Sequence, residues 1–72
     1  MDLPEPTSIK ELISMLEKRK ERYEEDFEVC EKALKTLKDP KHIAYWERER
    51  DYTKNRIEEI ERKLALYRTI AT

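Results

Sequence analysis

The side chains with which this chain could do covalent, acid–base or metal chemistry are few in kind. It has one cysteine, Cys30, one histidine, His42, and 17 Asp and Glu residues among 72. A zinc site takes several nitrogen or sulfur ligands at close spacing, and His42 with Cys30 makes no such set. The carboxylates are plentiful, but general acid–base work needs a cleft that shifts a carboxyl pKa. No glycine-rich loop accompanies them, since the chain has no glycine, and no nucleophile stands at a base's spacing. The expectation is a non-enzymatic protein without metal or cofactor. His42 reads as a surface residue. Cys30 reads as a small core filler under the stem of Arg50, because a reactive thiol needs exposure and electropositive surroundings.

Two runs carry the ingredients of nucleic-acid binding, cations beside stackable rings. They are Lys18-Arg19-Lys20-Glu21-Arg22-Tyr23 and Tyr45-Trp46-Glu47-Arg48-Glu49-Arg50. A helix would spread the first run over several faces, and acids interrupt both. What remains on one face is a belt of Arg19, Arg22, Arg56 and Lys63, the candidate nucleic-acid contact.

The elements that must position these residues are set by a bend at Lys38-Asp39-Pro40-Lys41. Proline has no N–H and a fixed φ, so it breaks a helix interior but suits the first turn. Asp39 before it can cap the new helix, and the pre-proline position avoids the α region. Heptad phase separates a hairpin from one kinked rod. The first seam runs Ile9, Ile13, Leu16, Lys20, Tyr23, Phe27, Cys30, Leu34, Leu37. The second runs Ile43, Trp46, Arg50, Thr53, Ile57, Ile60, Leu64, Tyr67, Ala71, out of phase with the first. Two helices satisfy both seams; a single rod does not.

The predicted architecture is all-α: an antiparallel two-helix coiled-coil hairpin, with helix 1 over about 8–38, the bend at 38–40 and helix 2 over about 40–70. Residues 1–7, with Pro4 and Pro6, are expected to form an extended lead-in, and Ser8 with Glu11 a capping box. Folding back pairs residues whose numbers add to 80, so that Leu37 meets Ile43, Leu16 meets Leu64 and Ile13 meets Tyr67. Pairs such as Glu28–Lys32, Glu31–Lys35, Glu58–Arg62 and Glu59–Lys63 support the helices at i,i+4 spacing. Lys20 and Arg50 interrupt the seam and are expected to reach out to Glu17, Glu24 or Glu47, fixing register.

The hairpin's two sides then differ. One is charged almost throughout. The other presents Leu12, Met15, Val29 and Ala33 from helix 1 with Tyr45, Tyr52, Leu66 and Ile70 from helix 2, as two apolar patches. A belt of Arg19, Arg22, Asp26, Arg56, Glu59 and Lys63 divides them. Area to bury and charges to align it are what a pairing surface needs. A chain this short seldom builds enough core alone, so the expectation is a homodimer through this face, forming a four-helix bundle. Another helical protein could occupy the same face, as with an inhibitor or antitoxin-like binder. The plan resembles the Rop-type plasmid RNA-binding hairpins, in two heptad helices and a short bend; that resemblance implies a four-helix dimer, and no motif residue carries RNA binding across.

Charge and composition bound the rest. Sixteen basic residues nearly cancel the acidic ones, so no net field gathers nucleic acid or an anionic membrane. The chain has no apolar run near bilayer length and no signal-peptide pattern at Met1-Asp2. A lone cysteine forms no internal disulfide, and the expectation is a cytoplasmic protein that does not engage membrane. A charged fraction of 46% with scarce amides resembles proteins from hot environments.

Overall fold

The computed structural model describes residues 8–71, and the expected lead-in at 1–7 lies outside the described residues. Two helices fill the described chain, α1 over Ile9–Thr36 and α2 over Pro40–Ala71, packed against each other as an antiparallel hairpin.

Each boundary follows from local chemistry. Ser8 is extended, and its Oγ accepts the Glu11 amide at 3.2 Å, a cap for one of the first-turn donors that no helical carbonyl can reach. At the start of α2, Asp39 does the same for Lys41, whose amide donates to the carboxylate at 2.9 Å, while the Asp39 carbonyl accepts Ile43 N–H. Pro40 takes the first helical position, where its missing donor costs nothing. Helix α1 ends at Thr36, two residues before the expected Lys38. With no glycine for a left-handed cap, the chain leaves through an extended Leu37, φ −78° and ψ 141°, whose amide still closes the last turn onto Ala33 O. Thr36 Oγ1 adds a second donor to that carbonyl at 3.2 Å.

The core is the seam. Leu16, Ile60 and Leu64 form one buried cluster, with Ile13, Tyr23 and Tyr67 packed against it. Cys30 and Thr53 complete the buried set at 3% and 4% exposure. Thr53 satisfies its hydroxyl by donating to the Glu49 carbonyl one turn back, at 2.8 Å. Of the predicted seam residues only Ala71, in the last turn, is exposed; Leu12, Glu31 and Ala33 are half-buried beside the seam. The molecule is 51 Å long but 14 Å thick, close to one helix diameter. Among the described residues each helix therefore has a single neighbour, and the layer they form has two open faces.

Candidate interaction surface

The open faces are chemically unlike. On one, a shallow groove lies among Glu17, Lys20, Glu21, Glu24 and Arg68, with Leu64 at its floor. Arg68 reaches Glu17 at 3.0 Å and Lys20 reaches Glu61 at 3.8 Å across the helices. The other face carries every large hydrophobic that the described chain leaves exposed. Met15, Val29, Tyr45, Tyr52, Leu66 and Ile70 are each 53–58% exposed. All six belong to the apolar face expected from heptad position, and Leu12 and Ala33, also expected there, are half-buried. The seam's period brings them together: each stands one step off a seam residue, on the same flank.

Toward the bend, Asp26 and Val29 of α1 and Tyr45, Glu49 and Tyr52 of α2 line a groove of about 290 Å³, floored by Tyr23, Cys30, Trp46 and Thr53. Tyr45 meets Trp46 edge to face at 5.5 Å, which holds the phenol outward against a half-buried indole. Glu49 belongs to this rim although the sequence reading passed over it; its place in the spacing Tyr45, Glu49, Tyr52 was the signal. Nearer the middle, Arg19, Arg56, Glu59 and Lys63 surround a groove of about 190 Å³ over Leu16, Tyr23 and Ile60. Three of the four belt cations thus share one groove. The fourth, Arg22, lines a neighbouring depression with Met15, Lys18 and Arg19. Arg56 is already engaged, 3.2 Å from Glu59 and 5.5 Å above the Tyr52 ring.

The two charged seam residues do not reach the acids expected of them. Lys20 crosses to Glu61, and Arg50 turns to Asp51 at 3.8 Å; a long flexible stem lets the head choose among several nearby acids, so heptad position does not fix the partner. Likewise Glu59 pairs with Arg56 rather than with Lys63. Cys30 faces Arg50 less than it faces acid. Burial, then Glu49 and Asp26, push its thiol above the ordinary value, with Arg50 partly offsetting them. His42 is exposed. Among the described residues no three His, Cys, Asp or Glu side chains converge as metal ligands would, and no helix is long and apolar enough to cross a membrane.

Among the described residues the arrangement is therefore an open, amphipathic surface with shallow grooves. Compared with known proteins, the chain matches no family model, no curated protein and no solved structure.

Proposed function

We propose that this hairpin is a non-enzymatic assembly module that associates with a second copy of itself through the face of Met15, Val29, Tyr45, Tyr52, Leu66 and Ile70. The observation that carries the reading is the segregation of all six exposed large hydrophobics onto one side of a layer one helix thick. Scattered singly, such residues would need no explanation; gathered on one face, they mark a contact surface.

The magnitudes support it. Complete burial of a side chain of this kind is worth about 1.5–3 kcal/mol. Covering the exposed half of six, on each of two copies, gives about 9–18 kcal/mol. Association costs about 4–15 kcal/mol in lost freedom, so a dimer in the micromolar range or tighter is within reach. Light scattering coupled to size exclusion tests this at micromolar concentration. A dimer mass is expected; a folded, strictly monomeric chain would reject the proposal.

A second reading has its own observation, the shared groove of Arg19, Arg56 and Lys63. If the belt stays open to solvent, these cations with Arg22 could hold a nucleic-acid backbone. Retention of RNA or DNA that falls steeply between low and moderate salt would favour it. The engagement of Arg56 by Glu59 and the near-zero net charge favour self-association instead. A foreign helical protein on the same face would be recognised by a mixed stoichiometry in the same light-scattering experiment.

A further inference from the structure

The charges on the pairing face are ordered along its length, and that order selects one way for a second copy to lie. The inference rests on the self-association proposed above. We infer that two hairpins stack face to face with their bends at opposite ends, α1 on the partner's α1 and α2 on the partner's α2.

The fold-back sets the heights. Leu16 shares a cluster with Leu64, and Lys20 touches Glu61, so α1 and α2 residues whose numbers add to about 80 stand at one level along the antiparallel pair. Lys63 is then level with Glu17, Glu49 with Glu31, and Tyr52 with Glu28. Along the face from the termini, Lys63, Arg19 and Arg22 come first, and Asp26 and Glu49 follow nearer the bend. Glu59 falls among the cations, between Arg19 and Arg22, and Arg56 falls between the two groups; they close on each other at 3.2 Å, adding no net charge. The face is positive toward the termini and negative toward the bend.

A two-fold axis lying between two such faces can run along the helices or across them. Running along them, it puts both bends at one end and lays the cationic half on the partner's cationic half, with Lys63 near the partner's Arg19. Like charges brought together at an interface are strongly disfavoured. Running across them near Arg22, it sets the cationic half on the partner's acidic half. Arg19 comes level with the partner's Asp26, and Lys63 comes within a turn's reach of the partner's Glu49. The same operation places Met15 against the partner's Val29, Leu12 against the partner's Ala33 and Ile70 against the partner's Tyr45. The rotation pairs Arg19 with the partner's Asp26 and matches most of the apolar area. It sets Arg22 beside the partner's Arg22 at the axis as its one like-charge contact, against the whole cationic half in the alternative. Leu66 and Tyr52 are the exceptions, level with the partner's Glu49 and the partner's Lys63.

Cross-linking and distance measurement decide the orientation. In a Cys30→Ala background, Arg22→Cys places two thiols beside the axis on facing helices, and mild oxidation is expected to give a covalent dimer. Spin labels on Lys35→Cys, exposed and off the pairing face, should lie about 36 Å or more apart along the bundle. Light scattering on the same samples reports the mass. A dimer whose Lys35 labels lie within about 25 Å, or whose Arg22→Cys chains link only to Glu59→Cys chains, would overturn the orientation and leave self-association standing. A monomer at every concentration would instead overturn the association, and this inference with it.

Discussion

Replacing Val29 by lysine separates the hairpin's own stability from its pairing. Val29 is 54% exposed in the single hairpin, so the hairpin loses little apolar contact. The new ammonium would stand three and four residues after Asp26 and Glu25, a spacing that favours the helix by a few tenths of a kcal/mol. In the paired state the balance reverses. Half of a valine's burial, about 0.8–1 kcal/mol, is lost in each copy, and a two-fold interface counts the loss twice. The charge also lands near the partner's Met15 and Arg19, where repulsion adds to it. The total is about 2–4 kcal/mol, or roughly thirty- to seven-hundred-fold weaker association. Sedimentation equilibrium across a concentration series measures this directly. Thermal unfolding followed by circular dichroism supplies the control, since a midpoint that rises with concentration in the parent chain should become concentration-independent in Val29→Lys. An unchanged association constant would refute the assignment of the face, and a lowered midpoint at high dilution would refute the claim that Val29 is spare in the hairpin.

Two further outcomes concern the seam. Lys20 is half-buried there and its ion pair with Glu61 is partly exposed, worth about 0–1 kcal/mol, whereas a leucine buried to the same extent gains about 1–2 kcal/mol; Lys20→Leu should raise the urea midpoint, with a loosened register or altered mass if Lys20 specifies alignment, and a lowered midpoint would contradict this. Cys30 is protonated more firmly in the folded chain than in the unfolded one, because burial, Glu49 and Asp26 raise its pKa from 9.0. The folded state then binds more protons above that value, so stability is whole below about pH 9 and declines as pH rises toward the raised pKa. The slope should vanish in Cys30→Ala, and a thiol reagent at neutral pH should label folded Cys30 far more slowly than unfolded chain.

The hairpin was legible because two constraints acted on separate stretches and agreed. Asp39-Pro40 forces a restart through local sterics, and the seams on either side are out of phase, so neither cue could be satisfied by a rod. The seam itself was readable residue by residue, from Ile9 to Tyr67, because burial along a heptad stripe depends on position alone. What position does not fix is where a long polar side chain ends up. Lys20 went to Glu61 and Arg50 to Asp51, since a long flexible stem lets the charged head select among nearby acids. The helix end at Thr36 was equally hidden, since without glycine no left-handed cap marks the exit. Glu49 was missed for a different reason. An acid between two tyrosines reads as part of a solvated run until the fold places it on a groove rim opposite Asp26.

The seam explains why so much apolar area was left outside it. Among the described residues four hydrophobic ones are buried, Leu16, Cys30, Ile60 and Leu64, against six large ones left more than half exposed. Lys20, Arg50 and Thr53 occupy seam positions that a stability-driven hairpin would fill with leucine or isoleucine. Polar residues there weaken the two-helix contact while restricting its register. A chain built this way gives up stability as a monomer and, on the proposed pairing, would recover it on a second surface that carries two tyrosines, a methionine and three aliphatic residues. In the proposed dimer folding and association would be coupled, and dilution should cost the hairpin its structure as well as its partner. A self-sufficient hairpin would show the opposite composition, with Tyr45, Tyr52, Leu66 and Ile70 replaced by charge and Lys20 and Arg50 replaced by leucine.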